Sequence, residues 1–205
     1  MHMLGYFPDS GAEPLATYLA RAAQARLDRA ERIVARLAEL GAPVEMGDVL
    51  ARARGNVGRP HIADALVAAG HCSSRRQAFD QYLHDRGPAY VGYVALEPTE
   101  ALGMVRESGG VAVLAHPFSL GLSEGFLASA VQRLAARGLV GIEVHRPDQD
   151  AVMRRRYSRM AKAFRLVPCG GSDFHRPGDG RTPGGTGEPP LDPGTADLLW
   201  ERLPA

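Results

Sequence analysis

The 205 residues, 45% of them hydrophobic, suffice to bury a substantial core and fit one domain, or one domain with a subdomain. Lys and Arg total 24 against 23 Asp and Glu, a formal charge of +1, which excludes a global basic field for nucleic acid; any anionic substrate must be held by local charges. Cys72 and Cys169 stand apart without metal-ligand spacing, and no apolar run approaches the ~20 residues of a membrane span, so a cytoplasmic chain with no membrane partner is expected.

In chain order, residues 2–7 read as a strand cut off at its beginning and closed by Pro8 and Asp9. From Glu13 to Leu40, apolar residues (Leu15, Leu19, Ala22, Ala30, Ile33, Leu37, Leu40) recur at helical spacing, arginines fill the other face, and Gly41 stops the helix. A shorter helix is expected from Met46 to Ala53. Pro60 fits the first turn of a helix that runs to Ala69 and ends at Gly70, and Ser74 with Gln77 reads as a capping box for another. After Pro98 the pattern alternates: helix to Ser108, strand 111–115, helix 123–136, strand 140–145, helix 150–163, strand 165–169. Such alternation means parallel strands with helices outside, an α/β layer or barrel. Residues 176–194, rich in Gly and Pro, read as a long loop before a helix from Thr195 to Leu203.

Two of these strands stop at residues that carry chemistry. Val111-Ala112-Val113-Leu114 runs into Ala115-His116-Pro117, and Leu166-Val167-Pro168-Cys169 runs into Gly170-Gly171-Ser172-Asp173-Phe174-His175. Imidazoles and a carboxylate are thereby placed at strand ends, where barrel enzymes keep their sites. Pro117 is expected to hold residue 116 extended, with its ring at the sheet edge; the plainer alternative is a histidine that caps a barrel end through hydrogen bonds. Asp173 and His175 project to one side if the backbone is extended, and Gly170 and Gly171 allow either close approach or positive φ. A helix cap or Asx turn would explain Asp173 but not His175. An Asp and two His arriving from separate strands suit Zn, Mn or Fe.

Glu143 and His145 share the face of a third strand opposite Ile142 and Val144. Glu143 is weighed as a polar interior or rim residue rather than a ligand, His145 is ambiguous, and Arg146-Pro147-Asp148 reads as a surface loop. Arg59-Pro60-His61 opens a helix whose N-terminus favours an anion, so Arg59 and His61 form either a phosphate clamp or a solvated arginine beside a half-buried histidine. The run Arg154-Arg155-Arg156 reads as the wet face of a helix, and His71 and His84 as surface residues.

Taken in order, Met1-His2-Met3-Leu4-Gly5-Tyr6, Gly58-Arg59-Pro60-His61-Ile62-Ala63, Leu114-Ala115-His116-Pro117, Gly141-Ile142-Glu143-Val144 and Gly170-Gly171-Ser172-Asp173-Phe174-His175 resemble the PHP (polymerase and histidinol phosphatase) superfamily of metal-dependent phosphoesterases. The resemblance is strongest to the branch with a helical insertion, which hydrolyses nucleoside 3′,5′-bisphosphates and trims 5′ ends of short RNA or DNA. It covers nearly the whole chain and implies an α/β fold, a partial distorted (βα)7 barrel. Residues 1–9 would supply a barrel strand, 10–95 an inserted α-helical subdomain and 96–205 the C-terminal half of the barrel. The resemblance also implies up to three divalent ions (Mn, Zn, Fe or Mg), with His2 and His116 sharing one and Asp173 and His175 serving the others. Arg59 and His61 match residues that grip the phosphate of a nucleotide or short oligonucleotide substrate. The family's opening His-x-His signature would lie upstream of His2, so the expectation is a chain that starts part-way through its barrel, binds metal weakly and hydrolyses little. Two alternatives stand beside this: a non-catalytic vestigial PHP domain that binds nucleic acid or a protein partner, and a small-metabolite phosphatase of the histidinol phosphatase type, which the helical block opposes. A homo-oligomer that covers the exposed sheet edge is left open.

Overall fold

Strand β1 (His2–Tyr6) opens the chain and is followed by helices α1 (Leu15–Glu39), α2 (Met46–Arg52), α3 (Arg59–Ala68) and α4 (Arg75–Ala78), the last continuing into a π-helical turn over Phe79–Leu83. Next come α5 (Pro98–Glu107), β2 (Val111–Ala115), a 3-10 turn over Pro117–Leu120, α6 (Glu124–Ala135) and β3 (Leu139–His145). The chain ends with α7 (Ala151–Phe164), β4 (Val167–Gly170) and α8 (Thr195–Trp200). The structure, a computed structural model, describes residues 1–9, 12–53, 55–93, 96–174 and 180–204. It divides into a helical unit, Ala16–Ala95, and a sheet unit made of Met1–Leu15 with Leu96–Ala205.

In the helical unit the α1 stripe of Ala30, Ile33 and Leu37 is buried with Val49 of α2 and with Ile62 and Leu66 of α3. Each Val, Leu or Ile among these contributes about 1.5–3 kcal/mol on full burial. The stripe is narrower than the periodicity suggests, because Leu19 and Leu40 at its ends are exposed. The expected capping box is shifted by a residue. Ser74 Oγ accepts from the Gln77 amide at 3.2 Å, but Gln77 Oε1 accepts from the Ser73 amide at 2.6 Å instead of from Ser74.

In the sheet unit the strand order is β1-β2-β3-β4, with β2, β3 and β4 parallel, as alternation with helices dictates. All five residues of β2 are buried, the pattern of a strand covered on both faces. Ala112, Leu114, Ile142 and Val144 pack against Leu127 and Val131 of α6 and Tyr157 and Met160 of α7. On the opposite face Val111, Val113, Val167 and Cys169 meet Leu199 of α8. β1 runs antiparallel to β2, pairing His2 with Ala115 and Tyr6 with Val111. The start of β1 therefore lies beside the end of β2, which brings His2 to the sheet end where His116 emerges.

Arg165 takes a left-handed φ of +56° as the cap of α7, so the chain turns before it enters the sheet and β4 starts at Val167 rather than at 165. Among the described residues the sheet is open, with β1 and β4 at its edges. No helix of the described residues is long and apolar enough to cross a membrane.

Candidate metal centre

His2 and His116 meet at the ends of β1 and β2. His2 Nδ1 lies 3.1 Å from His116 Nε2, with the rings edge-on at 4.9 Å between centroids. Two ring nitrogens this close repel through their lone pairs unless a proton or a cation sits between them. The separation fits a ring N–H shared between them, and it is also close to the roughly 3.3 Å between two imidazole nitrogens bound at 2.0–2.1 Å in a tetrahedral shell. On its other side, His116 Nδ1 lies 2.8 Å from Ser119 Oγ. A Nδ1–H donated there leaves Nε2 as the basic nitrogen, the usual support for an imidazole ligand.

The expectation that Pro117 holds His116 extended is overturned. His116 adopts φ +28° and ψ +63°, and Asp173 also lies in the left-handed region at φ +55°. Pro117 removes the right-handed helical region for its predecessor, and here the chain takes the left-handed one. Non-glycine residues so placed cost of order 1–3 kcal/mol each and persist where their surroundings fix them. At His116 the fixing contact is visible: its amide donates to Glu143 Oε2 at 2.6 Å. The left-handed turn at Asp173 also removes the extended geometry on which its same-side relation to His175 depends. His175 itself lies outside the described residues.

The second correction concerns Arg146, read from sequence as part of a surface loop. It is fully buried. Its Nη1 donates to Glu143 Oε2 at 3.0 Å, and its Nε and Nη2 form a fork on the Asp148 carboxylate at 2.9 Å each. Asp173 Oδ2 lies 3.7 Å from Arg146 Nη2 and 3.3 Å from Arg181 Nη1. Glu143 is thus an interior carboxylate that joins the His116 backbone to a buried arginine. The hydrogen bond from Arg146 holds the Asp148 carboxyl below its ordinary value despite partial burial. Burial opposes the charge on Arg146, but its bonds to Asp148 and Glu143 prevail and raise its affinity for the proton. Burial, helped by the Glu143 charge, pushes the neighbouring Cys169 thiol up to about 12. Burial, followed by the neighbouring Cys169 and Glu143, raises Tyr6.

Gly170 and Gly171 serve close approach rather than positive φ. A Cβ at Gly170 would collide with the His145 carbonyl oxygen, and one at Gly171 would lie 2.9 Å from Glu143 Oε1. His2, His116, Glu143, Gly171, Asp173 and Phe174 line one cavity of about 630 Å³. Among the described residues no set of three or more His, Cys, Asp or Glu side chains is gathered closely enough to hold an ion. The imidazole pair fits half of a metal shell by distance and chemistry, and Asp173 borders the same cavity.

The remaining candidates lie elsewhere. Arg59 and His61 belong to the helical unit at the start of α3, where the Gly58 amide donates to His61 Nδ1 at 3.1 Å. Arg59 Nη1 donates to Leu83 O at 2.8 Å and to Asp85 Oδ1 at 2.6 Å. His145 Nδ1 lies 3.4 Å from Pro189 O. His71 Nε2 lies 2.8 Å from Pro43 O, and His84 is exposed. The arginine run is only partly wet: Arg155 is exposed, but Arg154 donates to Gln149 O and Arg146 O, and Arg156 faces Glu124. In the sequence alone, Arg146 and Asp148 carry no role beyond a surface loop, and Arg181 and Ser119 carry none. The one available signal was an arginine set directly at a strand end.

No model of a known protein family matches the chain. It is 30% identical over 210 residues to the 3′,5′-nucleoside bisphosphate phosphatase of Chromobacterium violaceum, covering 100% of this chain and 72% of that protein. It is 32% identical over 179 residues to the 5′-3′ exoribonuclease Rnm of Escherichia coli, covering 86% of this chain. Of the exoribonuclease's own length the chain spans 61%. A solved structure from Bifidobacterium adolescentis, assigned as a metal-dependent phosphoesterase, superposes with a TM-score of 0.78 at 33% identity, over 100% of this chain and 72% of that one. Since the likeness in sequence to the phosphatase and the likeness in fold to the phosphoesterase each run the full length of these residues, the chain belongs to the PHP family of metal-dependent phosphoesterases.

Proposed function

We propose that this chain hydrolyses phosphate esters of nucleotides, either a nucleoside 3′,5′-bisphosphate or the 5′ end of a short oligonucleotide, at the cavity bordered by His2, His116 and Asp173. The observation that carries this reading is the His2–His116 pair, two imidazole nitrogens 3.1 Å apart at adjoining strand ends. His2, His116 and Asp173, joined by His175, would hold divalent ions, Mn, Zn, Fe or Mg. Bound there, such ions supply Lewis acidity that neutralises phosphoryl oxygens and lowers the pKa of water.

The chain's own groups prepare that chemistry. An Nδ1–H donated to Ser119 would keep His116 Nε2 basic, and the Glu143 carboxylate accepts from the His116 amide. Within the helical unit, Arg59 and His61 are the proposed phosphate-binding residues. Because His61 Nδ1 accepts from the Gly58 amide, the neutral ring carries its proton on Nε2, ready to donate to a phosphate oxygen. Arg59 uses Nη1 within the fold, and its Nε and Nη2 make no hydrogen bond among the described residues, so they remain as a planar pair of donors. Both cysteines are free and buried, which fits a reducing cytoplasm.

The test is metal content together with phosphate release from adenosine 3′,5′-bisphosphate under Mn²⁺. His116→Ala and Asp173→Ala should lose bound metal and turnover together. Stoichiometric metal with an unchanged rate in both variants would show that the assigned roles are wrong. A second reading, a non-catalytic domain that binds nucleic acid or a partner, is favoured by one contact: Asp173 is already flanked by Arg146 and Arg181. Metal-free protein that still binds oligonucleotide would select it.

A further inference from the structure

A second cluster of charge and aromatic surface lies wholly inside the helical unit. Arg26 and Arg29, three residues apart on one face of α1, meet rings from the segment that follows the π-helical turn. Arg26 lies 5.9 Å from the centre of Tyr93, and Arg29 lies 5.9 Å from Tyr93 and 5.6 Å from Tyr90. Arg59 continues the series, 5.5 Å from Tyr90 and 5.8 Å from Phe79. Guanidinium and ring therefore alternate through six side chains.

Part of this stack is structural. Arg29 Nε donates to Val91 O at 2.8 Å, Arg36 donates to Tyr90 O, and Arg59 donates to Leu83 O. These bonds strap residues 83–91 to the helices. They do not account for Arg26, which among the described residues makes only a 3.5 Å contact to Asn56 Oδ1, or for the 39% exposure of Tyr93. Among the described residues no acidic side chain lies within ion-pair distance of Arg26 or Arg29. Arg26, Arg29, Gly58, Arg59 and Tyr93 line a cavity of about 190 Å³ without an acidic wall. Burial, followed by the nearby Arg59 charge, lowers the proton affinity of Arg29, against smaller opposing contributions from Tyr90, Asp85 and Tyr93.

We propose that this cavity binds one nucleotide unit of a single-stranded nucleic acid, with the phosphate on Arg26 and Arg29 and the base stacked on Tyr93. Guanidinium forks match phosphate geometry, and an exposed ring accepts the face of any unpaired base. A duplex offers no such face. The assignment takes its ligand class from the nucleotide reading above and shares Arg59 with it as a wall of the cavity, but its proposed contacts, Arg26, Arg29 and Tyr93, are residues that reading does not use.

The test measures binding of a labelled ten-nucleotide single-stranded RNA to the full chain by fluorescence anisotropy, with chelator present. Arg26→Gln and Tyr93→Ala should each weaken Kd about tenfold. Arg26→Gln should also reduce the slope of log Kd against log salt by about one. Tyr93→Phe keeps the ring and should bind like the parent, and it remains informative if Tyr93→Ala does not fold. Arg155→Gln, which removes the same charge from an exposed site on α7, should leave Kd unchanged. Parental affinity in both Arg26→Gln and Tyr93→Ala overturns the proposal, as does an equal loss in Arg155→Gln. Displacement of the RNA by adenosine monophosphate at equal nucleotide concentration overturns the strand in favour of a free nucleotide. Because chelator removes turnover from every form, failed hydrolysis would count against the phosphoesterase reading and leave this comparison intact.

Discussion

The guanidinium of Arg146 is wholly buried, and three carboxylates explain how the fold tolerates it: Glu143 at 3.0 Å, Asp148 at 2.9 Å and Asp173 at 3.7 Å. Removing one partner of a buried ion pair is costly because the other is left uncompensated, about 3–5 kcal/mol. Arg146→Met should lose stability of that order in urea denaturation at pH 7, and adding Glu143→Gln should restore part of it. The pH dependence has a defined sign. Arg146 depresses the Asp148 carboxyl in the folded state, so its contribution is present above the ordinary aspartate value of 3.8 and is lost as pH falls through the lower folded value. The variant lacks this contribution at every pH, so the gap between parent and Arg146→Met should narrow below pH 3.8; a gap that widens there contradicts the assignment. None of this was legible in Arg146-Pro147-Asp148 alone. Two partners are local in sequence, but the third, Asp173, arrives from the segment that follows β4.

At the scale of elements, the close approach of β3 and β4 is built on glycine. β3 and β4 are parallel neighbours whose register shifts between Glu143 and His145, and Gly170 sits against the His145 carbonyl where a Cβ has no room. Backbone cannot yield as a side chain tip does, so Gly170→Ala should force the strands apart and lose about 1–3 kcal/mol in urea denaturation. It should also displace the Gly171–Asp173 turn, so His2 and His116 peptides should keep their exchange protection while the β4 peptide loses it; a stable variant with unchanged β4 protection would show the contact to be yielding. The parallel strands were legible because β2 is apolar at every position and is bracketed by helical patterns. The antiparallel sense of β1 was not, since a five-residue strand carries no signal for direction. That sense decides the site: a parallel β1 would place His2 at the far end of the sheet from His116. The left-handed backbone at His116 and Asp173 was equally hidden, because only contacts such as the Glu143 carboxylate select it.

For the molecule as a whole, the two units bury separate cores, one around Ile33, Ile62 and Leu66 and the other around Leu114, Ile142 and Tyr157. The candidate metal ligands described all lie in the sheet unit, and two of them stand 114 residues apart in the chain. A cation held by His2 and His116 links β1 to β2 through side chains in addition to their backbone ladder. A ligand that binds only the folded state stabilises it by about 2.7 kcal/mol at a hundred times its dissociation constant, near a hundredfold change in an opening equilibrium. Saturating Zn²⁺ or Mn²⁺ should therefore slow amide exchange by up to about that factor in peptides covering β1 and the end of β2. Peptides from residues 16–93 should exchange at the same rate with metal or chelator, because the helical unit supplies none of these ligands. His116→Ala should erase the difference in the sheet unit. Uniform slowing across both units would point to adventitious binding, and metal retained at stoichiometry without any slowing at β1 would place the ion somewhere other than between these two histidines.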